Sequence, residues 1–90
     1  MKILLKRKKT DEIIKDYSNE PIHAIHSIHS NCYIEVSHHR MKINIYHSED
    51  DGMVLYKNDI IYGKFSFLPL AVIEAIKWIF TLNNLTENNI

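Results

Sequence analysis

From Cys32 onward apolar and polar residues alternate with a period of two, and turn-forming residues interrupt the alternation at short intervals. This pattern predicts four strands at about 32–38, 41–48, 53–57 and 60–67. The connections fall near His39 and Arg40, through Glu49-Asp50-Asp51-Gly52, and at Asn58-Asp59. Links this short make neighbouring strands antiparallel, so the expected core of the fold is a four-stranded antiparallel β-meander. Because successive strand residues point to opposite faces, Ile34, Val36, Ile43, Ile45, Leu55, Ile61, Phe65 and Phe67 share the face expected to form the core. The opposite face collects Tyr33, Glu35, Ser37, Lys42, Asn44, Tyr46, Tyr56, Tyr62, Lys64 and Ser66, and with them four of the five tyrosines.

Past the strands the period changes. Pro69 suits the first turn of a helix, and a helical pattern runs from it to Leu82, with Asn83-Asn84 as the stop signal. At 100° per residue Leu70, Glu74, Lys77 and Thr81 share a narrow stripe, while Val72, Ile73, Ala75, Ile76, Trp78, Ile79, Phe80 and Leu82 fill an apolar arc of about 220°. That is about twice what one sheet covers. The surplus either packs on the same helix of a second subunit, with Val72, Ile76, Ile79 and Phe80 at the interface, or lies beneath the segments that precede the strands.

Those preceding segments are less regular. Thr10 followed by Asp11 and Glu12 reads as an N-cap with acids in the first turn, predicting a short N-terminal helix from Asp11 to about Tyr17 whose buried stripe is Ile13, Ile14 and Tyr17. Pro21 ends it. A tandem triplet follows, Ile22-His23-Ala24, Ile25-His26-Ser27, Ile28-His29-Ser30. Its period of three matches neither the strand period of 2.0 nor the helix period of 3.6, so its conformation stays open. The resulting expectation is one α+β domain over residues 1–90, with a short N-terminal helix, the meander over 32–67 and a C-terminal helix over 69–82.

Composition narrows the function. Ninety residues at 46% hydrophobic suit one small domain, and a core this size often leans on self-association for stability. Eleven Lys and Arg balance eleven Asp and Glu, which excludes both a uniformly basic nucleic-acid binder and an acidic mimic of nucleic acid. The balance is uneven along the chain. Residues 1–9 hold Lys2, Lys6, Arg7, Lys8 and Lys9 with no acid, so they read as a basic N-terminal arm or edge strand, meeting phosphate or an acidic partner or simply solvating the terminus. A single cysteine, an apolar run of only Ile3, Leu4 and Leu5 near the start, and no apolar stretch of bilayer length predict a cytoplasmic protein without a membrane span.

Catalytic and metal chemistry find little support. Cys32 beside histidines is the one nucleophile candidate, and it opens an apolar strand face, where a small thiol serves packing. Gly52 and Gly63 belong to no phosphate-cradling loop. Three His at i, i+3 and i+6 drift around a helix and alternate on a strand. His38, His39 and His47 bring no carboxylate or thiol at ligand spacing, so neither a metal nor a cofactor is expected. The reading is a non-enzymatic binding protein.

Its most specific feature is the tyrosine face. Sheets that bind single strands stack bases on aromatic rings at about 1–3 kcal/mol per base, and Tyr33, Tyr46, Tyr56 and Tyr62 with Lys42, Lys64, Lys6, Arg7, Lys8 and Lys9 supply rings and cations. Four strands running through Gly63-Lys64-Phe65-Ser66-Phe67-Leu68-Pro69 into a helix that holds Trp78 resemble the positive cofactor four family of transcriptional coactivators over residues 32–82. That resemblance implies a dimer whose strands bind single-stranded DNA or RNA, with Lys64 as the residue that carries over. The competing reading is a module that works by protein–protein contact. Tyrosine-rich, lysine-poor surfaces suit protein partners equally, and net charge is zero. Fifteen Ile and eight Asn suggest an AT-rich genome, as of a phage or other mobile element whose small proteins inhibit a host protein or defence complex. The protein-binding reading is preferred.

Overall fold

In the computed structural model, residues 1–29, 31–57 and 60–88 are described, with the side chains at 56, 57, 60, 62 and 82–88 outside the described set. Six strands form one antiparallel sheet: β1 (Lys2–Arg7), β2 (Ile13–Asp16), β3 (Cys32–His38), β4 (Met41–Ser48), β5 (Gly52–Lys57) and β6 (Ile60–Phe65), in the order β2-β1-β3-β4-β5-β6. One helix, α1 (Leu68–Asn88), lies across β3 to β6 on one face.

The sheet therefore has six strands rather than four, and no helix precedes it among the described residues. The expected helix at 11–17 is strand β2. Thr10 Oγ1 does accept the Glu12 N–H at 3.3 Å, the bond an N-cap would make, but Asp11 then turns to φ 57° and Arg7 N–H donates to Glu12 O at 2.9 Å. The same side-chain bond serves a hairpin loop as well as a cap, and the β-branched Ile13 and Ile14 favour the strand that follows. Nor are these two isoleucines a buried stripe, since Ile13 is 55% exposed at the sheet edge while Tyr17 packs on the core.

Residues 1–9 are neither an arm nor an edge. β1 sits between β2 and β3, its register running from Lys2 opposite Ser37 to Arg7 opposite Cys32. Ile3, Leu4 and Leu5 are buried as a result. Twenty-four residues lie between the paired strands, and nothing local to either one announces the match.

On the helix side, Ile3 and Leu5 join Ile34, Val36, Ile43, Ile45 and Leu55 beneath Leu68, Ala71, Val72, Ala75 and Ile79. Register places Ile34 opposite Ile45, Val36 opposite Ile43 and Ile45 opposite Leu55, so the largest buried side chains stack in rows across the sheet. On the last strand the expected core face holds at Phe65, which packs on the core, and fails at Ile61 and Phe67. A bulge between Leu55 and Tyr56 sets Leu55 opposite Gly63 but Tyr56 opposite Ile61, which turns Ile61 out of the core and leaves it 49% exposed. Phe67 lies past the end of β6 and is exposed too. The Asn58-Asp59 turn lies outside the described residues.

The isoleucine–histidine triplets resolve into an inside and an outside. Ile22–Ala24 form a single 3-10 turn; Ile25 and Ile28 are buried and Ile22 packs on the core, whereas His23, His26 and His29 are exposed. Three residues per turn is the period of 3-10 and polyproline geometry, the template that strand and helix periods omit. The segment covers part of the core beside α1. The helix itself runs through Asn83-Asn84 to Asn88, because an asparagine disfavours a helix by only about 0.5 kcal/mol and is no stop by itself. No described helix is long and apolar enough to cross a membrane.

Candidate functional site

The sheet face opposite α1 carries Tyr33, Tyr46, Lys6, Lys42 and Lys64, and it is more closed than alternation suggests. Tyr33 is buried and lies against Tyr46 on the neighbouring strand, ring centroids 5.3 Å apart and planes 20° from parallel. Its hydroxyl donates to Asp11 Oδ1 at 2.9 Å. Burial, then that bond and the charge of Asp11, raise the Tyr33 hydroxyl well above its ordinary pKa. Tyr33 thus has one ring face covered and its polar tip engaged. Tyr46 is half-buried with Lys8 Nζ 5.7 Å from its ring centroid.

The lysines are largely matched to acids. Glu35, buried at the middle of β3, receives Lys6 Nζ at 3.0 Å from β1 and Lys42 Nζ at 3.4 Å from β4. Arg7 pairs with Glu12 at 3.6 Å and Lys64 with Asp51 at 3.3 Å. Lys9 is exposed in the β1–β2 loop. The side chains of Tyr56 and Tyr62 lie outside the described residues. Of the expected stacking surface, the described portion is one buried and one half-buried ring beside cations most of which face acids.

The helix presents a different surface. Val72 and Ile79 are fully buried against the chain's own sheet and Ile76 is half-buried, so of the four expected interface residues only Phe80 faces outward, 47% exposed. Leu70 and Ile73 stand with it at 53% and 41%. Positions 70, 73, 77 and 80 fall on one outward stripe, spaced three and four apart. Lys77 lies within it, and its Nζ is 3.7 Å from Glu74 Oε2 one turn back. The 220° arc foretold an apolar surplus. Which residues form it depends on how the helix is rolled on the sheet.

Cys32 is buried in the core. Among the described residues no group of three His, Cys, Asp or Glu side chains is placed to hold a metal ion. At the edge strand, Asp16 accepts the Ser18 N–H at 2.8 Å, and hydrogen bonding from Ser18 holds its carboxyl below the ordinary value.

Comparison of the chain with protein-family models, with curated proteins and with solved structures finds no match.

Proposed function

We propose that this chain is a small non-enzymatic binding module that acts by protein–protein contact, and that the outer stripe of α1 makes the first such contact with a second copy of the chain. The observation that carries the reading is the exposure of Leu70, Ile73 and Phe80 along one face of a helix whose other face is fully buried.

The stripe is self-complementary in the way a two-fold interface requires, where one patch serves both subunits. If two copies of α1 lie antiparallel about a point near Lys77, Ile73 of each copy meets Phe80 of the other. The same alignment, centred between Ile76 and Lys77, brings Glu74 of each copy within about one turn of Lys77 of the other. Three half-exposed apolar side chains per copy make a small contact, and after the entropy lost on association an affinity of about 1–50 μM is expected. The tyrosine face supports a nucleic-acid partner less well, because Tyr33 is covered and Lys6, Lys42 and Lys64 already face acids.

Sedimentation of the full chain between about 1 and 200 μM tests the reading. A dimer is expected to form across that range, to be lost in Phe80→Glu, to weaken in Glu74→Lys and in Lys77→Glu, and to return in the double swap. A monomeric mass throughout overturns it. So does tight, steeply salt-dependent binding of fluorescent single-stranded DNA or RNA that disappears with Tyr46→Ala, an outcome that would favour the nucleic-acid reading.

A further inference from the structure

One histidine stands apart from the rest. His23, His26, His29, His39 and His47 are exposed, whereas His38 is half-buried at the end of β3. Alternation puts its side chain on the face of Ile34 and Val36, beneath α1, and there its ring lies 5.4 Å from the Phe80 ring with the planes 47° apart. Phe80 is engaged on its inner side in this way and is still 47% exposed on the outward stripe of the helix. The imidazole is thus the support under the largest residue of the proposed interface. We infer that His38 makes self-association through α1 dependent on pH: a neutral imidazole holds Phe80 ready for the second copy, and a protonated one opens the dimer. This inference rests on the dimer proposed above.

The charges that reach His38 are positive. From the β3–β4 link the His39 ring lies 4.1 Å away, and from β1 the amino terminus adds its charge. Met41 is the residue opposite on β4, and α1 brings the Phe80 ring, so these two elements meet His38 with uncharged groups. Lys2 pairs with Ser37 and points to the other face of the sheet. Burial, then the charge of His39 and of the amino terminus, hold His38 below its ordinary pKa. In the dimer, Ile73 of the other copy covers the outer side of Phe80 and removes water from the pair of rings. Dehydration costs an imidazolium more than a neutral imidazole, so association selects the neutral form. Its contribution is complete above the ordinary histidine value of about 6.5, and it is lost as the pH falls below that toward the lowered value of His38. Two copies of His38 titrate in each dimer, which multiplies the effect on the dissociation constant.

Sedimentation of the full chain at pH 8 and at pH 5, at constant ionic strength, tests the gate. The dissociation constant is expected to rise about fivefold or more from pH 8 to pH 5. His38→Gln and His38→Phe both remove the titrating group, one keeping a polar side chain and the other a flat ring, so a packing fault in either leaves the other to decide. In the folded variant the ratio between the two pH values should fall below about twofold, whatever its affinity. Far-UV circular dichroism should show the parent folded at pH 5. A parent ratio below about twofold, the same ratio in parent and variants, or acid unfolding of the parent overturns the gate and leaves the dimer standing. A monomeric mass for the parent at pH 8 overturns the dimer itself, and the gate with it.

Discussion

Lys6 Nζ stands 3.0 Å from Glu35 Oε2 on the sheet face opposite the helix, and Glu35 is the one charged residue that is buried among those described. The pair bridges β1 and β3 diagonally, since Lys6 is opposite Tyr33 and Glu35 is opposite Leu4. Lys42 reaches the same carboxylate from β4. The central strand of the sheet is thereby tied to both neighbours through one side chain.

Replacing Glu35 by Ala should leave two ammonium groups facing each other without their acid. Removing one partner of a fully buried pair costs about 3–5 kcal/mol, and Lys42 reaches solvent, so a loss of about 2 kcal/mol is expected in urea denaturation. A loss below about 0.5 kcal/mol would show the cluster to be neutral for stability.

Tyr33→Phe removes the hydroxyl that Asp11 accepts and keeps the ring against Tyr46. A cost of about 1 kcal/mol is expected. Alkaline behaviour gives a second readout. The folded-state pKa of Tyr33 is raised, so its contribution is fully present below pH 10 and is lost as pH climbs from there toward the folded value. The parent should lose stability above pH 10 more steeply than Tyr33→Phe, as denaturant melts at pH 9 and pH 11 would show.

Two neighbours on α1 should respond oppositely. Ile79 is fully buried and Phe80 is half exposed. Truncating Ile79 to Ala should cost about 2–4 kcal/mol by leaving a core cavity. Phe80→Ala should cost less than about 1 kcal/mol in dilute solution, where the chain is monomeric, with its effect confined to self-association. Equal losses would mean that the helix is rolled differently on the sheet.

Gly52→Ala should destabilise the β4–β5 hairpin. Gly52 has φ 74°, and a Cβ built there would stand 2.6 Å from the Phe65 carbonyl oxygen on β6. The strain costs about 1–3 kcal/mol before any shift of β6, and thermal melting reads it directly.

The sequence by itself determined what depends on near neighbours. Alternation from Cys32 to Ser48 specifies two strands and their inward residues, because a one-residue slip would move every isoleucine to the other face. Pro69 and the helical period specify a helix with more apolar surface than one sheet can cover. Tertiary structure decided the rest. Whether Thr10 caps a helix or closes a hairpin depends on β1 being available to pair with Ile13–Asp16, and β1 is held in place by β3. The bulge at Leu55 reverses the facing of Ile61, which no count along the strand reveals. Tyr33 is closed off by Tyr46 and by Asp11 from a distant loop, so a residue that reads as a stacking platform is part of the packing. Lys6 and Glu35 come together for the same reason. The register of two strands far apart in the chain is set by burying Ile3 and Leu5 against Ile34 and Val36, and the polar residues beside them are carried along.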